Sequence, residues 1–276
     1  MTTPRAALLT LLLTLGAAPA AAQEKRPLDH TDFDTWNRIQ NDVVSADGRW
    51  LVYRLVPGDG DAIMIVRSLN DERSLTIDRG ARPEFTRDAR YLIALVEPTE
   101  EAVDAAREKK RRDNAQPHDS LVVIDLSDLS VTRMADVDSF RLSEDDGSWV
   151  AYLLEAPAED DDARESGEEE PEAEDEAHDK DEGTELVLRH LASSTEFRFR
   201  GVTAYRFSGD GANLYYTVSS EDGAADGAYR VEVESGVVTS LATGEGKYTQ
   251  LVVDESGRRA AFLTNKDDWE DEQPSF

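Results

Sequence analysis

A short segment that joins a tight turn to an apolar strand recurs five times along this sequence, and it constrains the fold more than any other feature. The first copy begins at Ser45, continues through Asp47 and Gly48, and ends in the apolar run 50–53. The aspartate can accept hydrogen bonds from the backbone of its own turn, and glycine tolerates the positive φ that such a turn requires. Further copies occupy residues 85–94, 144–152, 208–216 and 254–262.

The spacing of the copies predicts a β-propeller. Measured from Gly48 to the equivalent positions, successive copies lie 41, 58, 64 and 46 residues apart. A period of about 40 to 50 residues with four strands per unit is typical of propeller blades. The apolar runs do not alternate strictly with polar residues, which indicates strands covered on both faces by neighbouring blades. We therefore expect an all-β chain with four blades and half of a fifth, at 42–77, 83–134, 139–199, 203–241 and 250–263.

The N-terminal segment, residues 1–22, has the pattern of a secretory signal. Arg5 supplies a positive charge, residues 6–15 form an apolar run, and three alanines precede Gln23. The sequence therefore predicts an exported protein, periplasmic or extracellular, that loses this segment by cleavage. An uncleaved N-terminal anchor is the alternative.

A short helix is predicted between the signal segment and the first blade, at the start of a propeller domain over 28–276. Phe33, Trp36 and Ile39 recur at helical spacing within residues 28–39. We expect this helix to pack on the first blade with Trp36 in the core.

Two insertions interrupt the repeat, each after the second strand of its blade. The first, 97–119, contains good helix formers at 103–112 and ends in basic residues. The second, 157–184, is acidic: residues 159–182 include 15 aspartates and glutamates. A segment with so little apolar surface is predicted to be disordered. Because strands alternate in direction, both insertions are expected to emerge from the same face.

The charge of the chain excludes some classes of partner. The formal net charge is −29, which argues against binding to nucleic acid or to anionic membrane surfaces. The sequence has no cysteine, so neither disulfides nor thiolate metal sites can form. No apolar stretch of about 20 residues follows the N-terminal segment, so we expect no membrane span after signal cleavage.

No motif in the sequence identifies a catalytic, cofactor-binding or metal-binding residue. A Gly-x-Ser-x-Gly nucleophile motif and a His-Glu-x-x-His zinc motif are both absent. Residues 244–248 resemble a phosphate-binding loop only superficially, because Tyr248 stands where a magnesium-binding hydroxyl belongs. We therefore assign no site residues and no cofactor from sequence.

Two further groups of residues invite a metal-site interpretation without carrying one. The four histidines, His30, His118, His178 and His190, are scattered along the sequence, whereas zinc sites use clustered ligands. The acidic, glycine-rich segment 221–227 lacks the alternating ligands and terminal glutamate of a calcium loop. A loop between two strands is the simpler interpretation of that segment, and weak calcium binding by the acidic insertion stays open.

Several stretches together resemble one known family. The signal segment is followed by residues 32–39 and the first repeat at 45–53, and a charged helical insertion follows the second blade. The stretch 149–155 then leads into the acidic insertion. This combination resembles the start of exported bacterial serine peptidases of the prolyl oligopeptidase family, from residue 29 to the end of the sequence.

The resemblance implies a role that is not catalytic. In that family a propeller precedes an α/β-hydrolase domain that holds a Ser-Asp-His triad, and no position of this sequence matches the triad motifs. The chain would then be the propeller portion that gates or admits peptide substrate, with the hydrolase domain outside it. Two alternatives are an exported propeller that binds a protein partner as a scaffold, as in the bacterial Tol system, and a complete small propeller with its own enzymatic or calcium-dependent function.

Overall fold

The structure is a computed structural model. It describes residues 29, 36–108, 117–143, 147–156, 180–254 and 256–269. The predicted signal segment and residues 157–179 of the acidic insertion lie outside the described residues. Within those ranges the chain forms 17 strands and one helix, and the helix is too short to cross a membrane.

The first two blades are four-stranded antiparallel meanders, as the repeat predicts. The first contains β1 (Arg38–Val44), β2 (Trp50–Val56), β3 (Ile63–Ser68) and β4 (Ser74–Asp78). The second contains β5 (Gly80–Phe85), β6 (Tyr91–Val96), β7 (Ser120–Asp125) and β8 (Ser130–Met134). The helix α1 (Glu100–Glu108) lies in the connection between β6 and β7.

The third and fourth blades share one continuous strand. Their sheet is formed by β9 (Val137–Leu142), β10 (Trp149–Leu154), β11 (Thr184–His190), β12 (Glu196–Phe207), β13 (Asn213–Val218), β14 (Gly227–Glu232) and β15 (Val238–Thr243). The prediction of two separate strands within 195–207 is therefore wrong. The first part of β12 pairs with β11 and the second part pairs with β13. Gly201, with φ at 68°, lies between the two parts, where a residue with a side chain would be strained.

The described part of the fifth blade is a two-stranded hairpin of β16 (Tyr248–Val253) and β17 (Ala260–Thr264). Several first strands of successive blades lie beside one another: β1 contacts β5, and β12 contacts both β9 and β16. The first strands of the five blades are β1, β5, β9, the second part of β12, and β16. We call these five strands the inner strands. Their adjacency is the arrangement expected around the axis of a propeller.

The core lies between the blades rather than inside any one of them. All six residues of β6 are buried. Leu92 and its alternate neighbours pack against the first blade, whereas Ile93 and its alternate neighbours pack against the third. The third and fourth blades enclose another core around Leu188 and Tyr216. This stacking confirms the all-β propeller prediction and explains why the apolar runs are continuous.

The structure corrects the prediction for the segment before the first blade. Ile39 belongs to β1, where it pairs with Leu55 of β2, and not to a helix. Trp36 is 52% exposed and does not lie in a core. The helical spacing did not decide the structure here because pairing with β2 satisfies the backbone of these residues as a strand. The rest of the predicted helix, residues 30–35, lies outside the described residues.

Both insertions follow the second strand of a blade, β6 in the second blade and β10 in the third. In the first, the helix covers Glu100–Glu108, three residues earlier than predicted, and residues 109–116 lie outside the described residues. Thr99 caps this helix, since its hydroxyl accepts a hydrogen bond from the backbone N–H of Ala102 at 3.1 Å. In the second insertion, Thr184 already belongs to β11. The disordered segment was therefore predicted to extend too far at its C-terminal end.

The repeated turns are held by a buried hydroxyl as well as by the aspartate. The Ser45 hydroxyl donates to Asp47 Oδ1 at 2.6 Å and accepts a hydrogen bond from the N–H of Trp50 at 3.0 Å. Thr86 and Ser208 make the same pair of hydrogen bonds in their turns. The sequence analysis assigned roles to the aspartate and glycine but missed this hydroxyl, which fixes where the following strand begins.

The turn aspartates are expected to make the fold sensitive to acid. The Ser45 hydroxyl, together with the N–H of Arg49, lowers the pKa of Asp47 to about 2. An unfolded aspartate has a pKa of about 3.9. Because the folded pKa is the lower one, the stabilisation from Asp47 is fully present above pH ~4 and is lost as the pH falls to ~2. Thermal midpoints measured between pH 7 and pH 2 should therefore fall less in Asp47→Asn than in the unsubstituted chain.

The comparison needs a single-site control because other groups titrate in the same range. Burial raises the pKa of Asp119 in the folded state. The contribution of Asp119 to stability therefore increases as the pH falls, whereas that of Asp47 decreases. Asp59→Asn, in an exposed loop on the other face, serves as the control and should leave the pH dependence unchanged. Equal acid dependence in Asp47→Asn and Asp59→Asn would contradict the role of the turn.

Candidate functional site

The inner strands place one residue each at an equivalent position near the axis. This position lies two residues before the first residue of the turn, and its side chains are exposed in all five blades. We call it the axial row, formed by Val43, Glu84, Arg141, Arg206 and Val252. The row is apolar at its two ends and charged in the middle three blades.

A cleft of 320 Å³ lies beside the middle of the axial row. It is formed at the ends of β5, β9, β12 and β16, next to the repeated turns, and the insertions leave from the other ends of the blades. Its lining consists of Glu84, Phe140, Arg141, Leu142, Arg206, Phe207, Gly209, Val253 and Asp254. The lining of the cleft therefore combines two guanidinium groups and two carboxylates with the partly buried rings of Phe140 and Phe207.

Arg141 is held over an aromatic ring. Its guanidinium carbon lies 5.9 Å from the ring centroid of Tyr205, within the range of a cation–π contact. The ring is fixed in turn, because the Tyr205 hydroxyl and the Ser139 hydroxyl are hydrogen-bonded at 3.1 Å. Burial raises the pKa of Tyr205 to about 12, so the ring stays neutral beneath the guanidinium group.

Arg206 joins the fourth blade to the fifth. Its Nε donates a hydrogen bond to the carbonyl oxygen of Leu251 at 3.0 Å, from β12 to β16. This bond uses one of the five N–H groups of the side chain, and among the described residues the terminal nitrogens have no hydrogen-bond partner. The position of the guanidinium group is therefore set by the backbone of the neighbouring blade.

The carboxylates that line the cleft differ in what they bind. Asp254 faces its own turn, where Oδ1 accepts hydrogen bonds from the N–H groups of Arg258 and Arg259, both at 2.9 Å. The Ser256 hydroxyl, foremost, lowers the pKa of Asp254. Glu84 also interacts with another group of the protein. The described residues that line this cleft include no histidine, serine or threonine.

Arg141 and Arg206 were missed in the sequence analysis, although the repeat contained a signal for them. Alignment of the five turns places both arginines at the same position of adjacent blades. A basic residue at this position is unusual in a chain as acidic as this one. Motif searches overlook such a position because the two residues are 65 apart in sequence.

The segment 221–227, which invited a calcium interpretation, is a loop between β13 and β14. Its last acidic residue, Asp226, is fully buried, and its Oδ2 forms an ion pair with Lys180 at 2.5 Å. Oδ1 accepts a hydrogen bond from the N–H of Ser220 at 2.7 Å, and Oδ2 accepts one from the N–H of Gly246 at 3.1 Å. Burial raises the pKa of Asp226, but Lys180 and these N–H groups outweigh it and lower the pKa overall. The carboxylate thus binds donors of the protein itself.

The remaining candidates from sequence do not converge on a site. The N–H of Gly246, in the segment that resembled a phosphate loop, points to a carboxylate. His118 lies 3.7 Å from Asp136, His190 bonds Ser193, and His30 and His178 lie outside the described residues. Across the described part of the chain, no three histidine or acidic residues are grouped so that they could hold a metal ion.

Comparison with known proteins shows similarity in structure and not in sequence. No protein-family model matches the chain. No curated protein has a significantly similar sequence.

Three solved structures illustrate the structural similarity. An acylaminoacyl peptidase in complex with Z-Gly-Gly-Phe-chloromethyl ketone has a TM-score of 0.44 at 13% identity, over 80% of this chain and 35% of its own. A prolyl endopeptidase has a TM-score of 0.46 at 12% identity, over 87% of this chain and 35% of its own. The β-propeller domain of the trilobed protease from Pyrococcus furiosus has a TM-score of 0.42 at 9% identity, over 84% of this chain and 70% of its own.

The lengths of these proteins differ from that of the chain. The chain spans about a third of the length of the acylaminoacyl peptidase and of the prolyl endopeptidase. Sequence identities of 9–13% indicate a shared fold and no more, because proteins of different function can have the same fold. The solved structures to which this chain is similar thus include a prolyl endopeptidase, an acylaminoacyl peptidase and the β-propeller domain of a protease.

Proposed function

We propose that this chain is the non-catalytic propeller portion of an exported serine peptidase of the prolyl oligopeptidase type. In this proposal the axial cleft admits peptide substrate to a hydrolase domain outside the sequence. The observation that supports it most directly is the cleft at the inner strands, which is lined by binding groups and not by a nucleophile and its base. The sequence resemblance at 32–39 and 45–53 supports the choice of family.

The chain by itself is expected to have no peptidase activity. Acyl transfer by such peptidases requires a nucleophile, a base and an oxyanion hole in one site, and the sequence lacks the nucleophile motif. Purified chain 23–276 would be incubated with chromogenic peptides that contain proline. Turnover that a serine-directed inhibitor abolishes would contradict the proposal.

The reading frame beyond residue 276 provides the positive arm of the test. A frame that continues into a Gly-x-Ser-x-Gly motif, and a longer protein that cleaves the same peptides, would support the proposal. A frame that stops without such a motif would contradict it and would favour a propeller that binds a protein partner.

A further inference from the structure

The axial cleft holds two guanidinium groups that form no ion pair with a carboxylate of the described residues. Arg141 contacts the ring of Tyr205, and Arg206 donates a hydrogen bond to the carbonyl oxygen of Leu251. Elsewhere in the described residues, arginines commonly pair with carboxylates, as Arg189 does with Glu196 and Arg198 with Glu185. In a chain with net charge −29, two adjacent blades that present guanidinium groups to one cleft, without a carboxylate partner among the described residues, are an exception.

The two guanidinium groups are held ready for a ligand. Arg141 rests on a buried ring and Arg206 is bound to the backbone of the next blade. Binding then costs less side-chain entropy than it would for freely moving arginines. The planar fork of N–H groups matches the two oxygens of a carboxylate, and this match makes charge-assisted hydrogen bonds short and strong.

The rest of the lining narrows the class of anion. Glu84 and Asp254 also border the cleft, so its total positive charge is low and a monoanion suits it better than a dianion such as phosphate. The half-buried side chains of Phe140 and Phe207 add apolar surface beside the arginines. A volume of 320 Å³ is at the lower end of ligand pockets, which fits one or two amino-acid side chains and not a large ligand.

We propose that the axial cleft binds a carboxylate of a peptide that also carries an apolar side chain next to it, and that Arg141 and Arg206 grip this carboxylate. The carboxylate belongs either to an acidic side chain or to the C-terminus of the peptide. The inference rests on the proposed function only in taking the ligand to be a peptide. Binding of the carboxylate is a property of this chain and can be measured without any hydrolase domain.

The test uses isothermal titration of chain 23–276 with matched pairs of peptides. One pair is acetyl-Ala-Phe-Glu-Ala-amide and its glutamine counterpart, and the other is acetyl-Ala-Phe with a free carboxylate and the corresponding amide. The acidic member of at least one pair should bind about tenfold more tightly, since a hydrogen bond to a charged group has about that effect. The pair that shows the difference identifies the source of the carboxylate.

Three variants assign the effect to the cleft. Arg141→Gln should abolish the preference for the acidic peptide, and Arg141→Lys should keep the charge but recover only part of the preference. Arg133→Gln makes the same change of charge at an exposed position of β8 and should have no effect. Thermal midpoints check that each variant is folded.

Equal binding of the acidic and neutral peptides, or no binding of any, would overturn the inference. An equal loss of affinity in Arg133→Gln and Arg141→Gln would also overturn it, because the effect would then come from the overall charge. The fate of the proposed function is separate. If the longer protein had peptidase activity but the cleft showed no preference for a carboxylate, this inference would be wrong and the proposed function would still stand.

Discussion

Replacement of Asp226 by alanine is expected to lower the free energy of unfolding by about 3–5 kcal/mol. The carboxylate is fully buried and joins three separate parts of the chain: Lys180 near the C-terminal end of the acidic insertion, Ser220 in its own loop, and Gly246 before β16. Its removal leaves a largely buried ammonium group and two backbone N–H groups without their acceptor. A buried charge without its partner destabilises the folded state by more than the intact ion pair stabilises it. Urea unfolding at pH 7 measures the effect.

The neighbouring loop provides a matched control. Asp222 is exposed and accepts one hydrogen bond, from the N–H of Ala224 at 3.0 Å. Asp222→Ala should therefore cost about 1 kcal/mol or less. In the double variant with Lys180→Ala, the loss should be smaller than the sum of the two single losses, because the ammonium group is removed together with its partner. Similar losses in Asp226→Ala and Asp222→Ala would show that the buried carboxylate does not stabilise the fold.

The pH dependence of this variant follows from the lowered pKa of Asp226. A carboxylate whose folded pKa lies below its unfolded value of about 3.9 stabilises the fold above that pH and ceases to do so as the pH falls through the folded pKa. The difference in stability between the unsubstituted chain and Asp226→Ala should accordingly shrink below pH ~4. A difference that grows on acidification would contradict the ion pair.

Replacement of Gly147 by alanine is expected to lower the free energy of unfolding by about 3 kcal/mol, from two separate causes. The residue has φ at 69°, and a side chain at such a φ costs about 1–2 kcal/mol. An added Cβ would also lie 2.8 Å from Cβ of Thr86 and 3.0 Å from the backbone nitrogen of Arg87, in the turn of the preceding blade. Thr86 is buried and its hydroxyl donates a hydrogen bond to Asp88, so its side chain cannot move away from the added Cβ. Such overpacking adds about 1–3 kcal/mol.

Gly48 separates the two causes. It occupies the same turn position of the first blade with φ at 70°, but no atom lies within 4 Å of where its Cβ would be. Gly48→Ala should therefore lose only the backbone part, about 1–2 kcal/mol. Gly257→Ala, whose Cβ would lie 2.5 Å from Cβ of Ser208, should resemble Gly147→Ala. Equal thermal shifts in Gly48→Ala and Gly147→Ala would show that the turns of neighbouring blades do not press on one another.

The sequence determined the strands and turns of the blades, because the interactions that make them are local. The turn that begins at Ser45 closes within six residues, through hydrogen bonds among Ser45, Asp47 and Trp50. Continuous apolar runs such as the one in β6 indicate burial on both faces, which only stacked sheets provide. The fold class could therefore be predicted from the repeat without any knowledge of which blade lies beside which.

The tertiary structure alone decided the features that depend on contacts distant in sequence. Ile39 lies in a strand because it pairs with Leu55, although its own neighbourhood has helical spacing. Asp226 looked like part of a possible metal site until Lys180 and the N–H of Gly246 were found bonded to it. The site depends on the same kind of contact, because Arg141 and Arg206 share a cleft only when the third and fourth blades place their inner strands side by side. Stacking of blades joins residues that local periodicity cannot relate, so the sequence determined the repeating unit and the packing of the units determined the site.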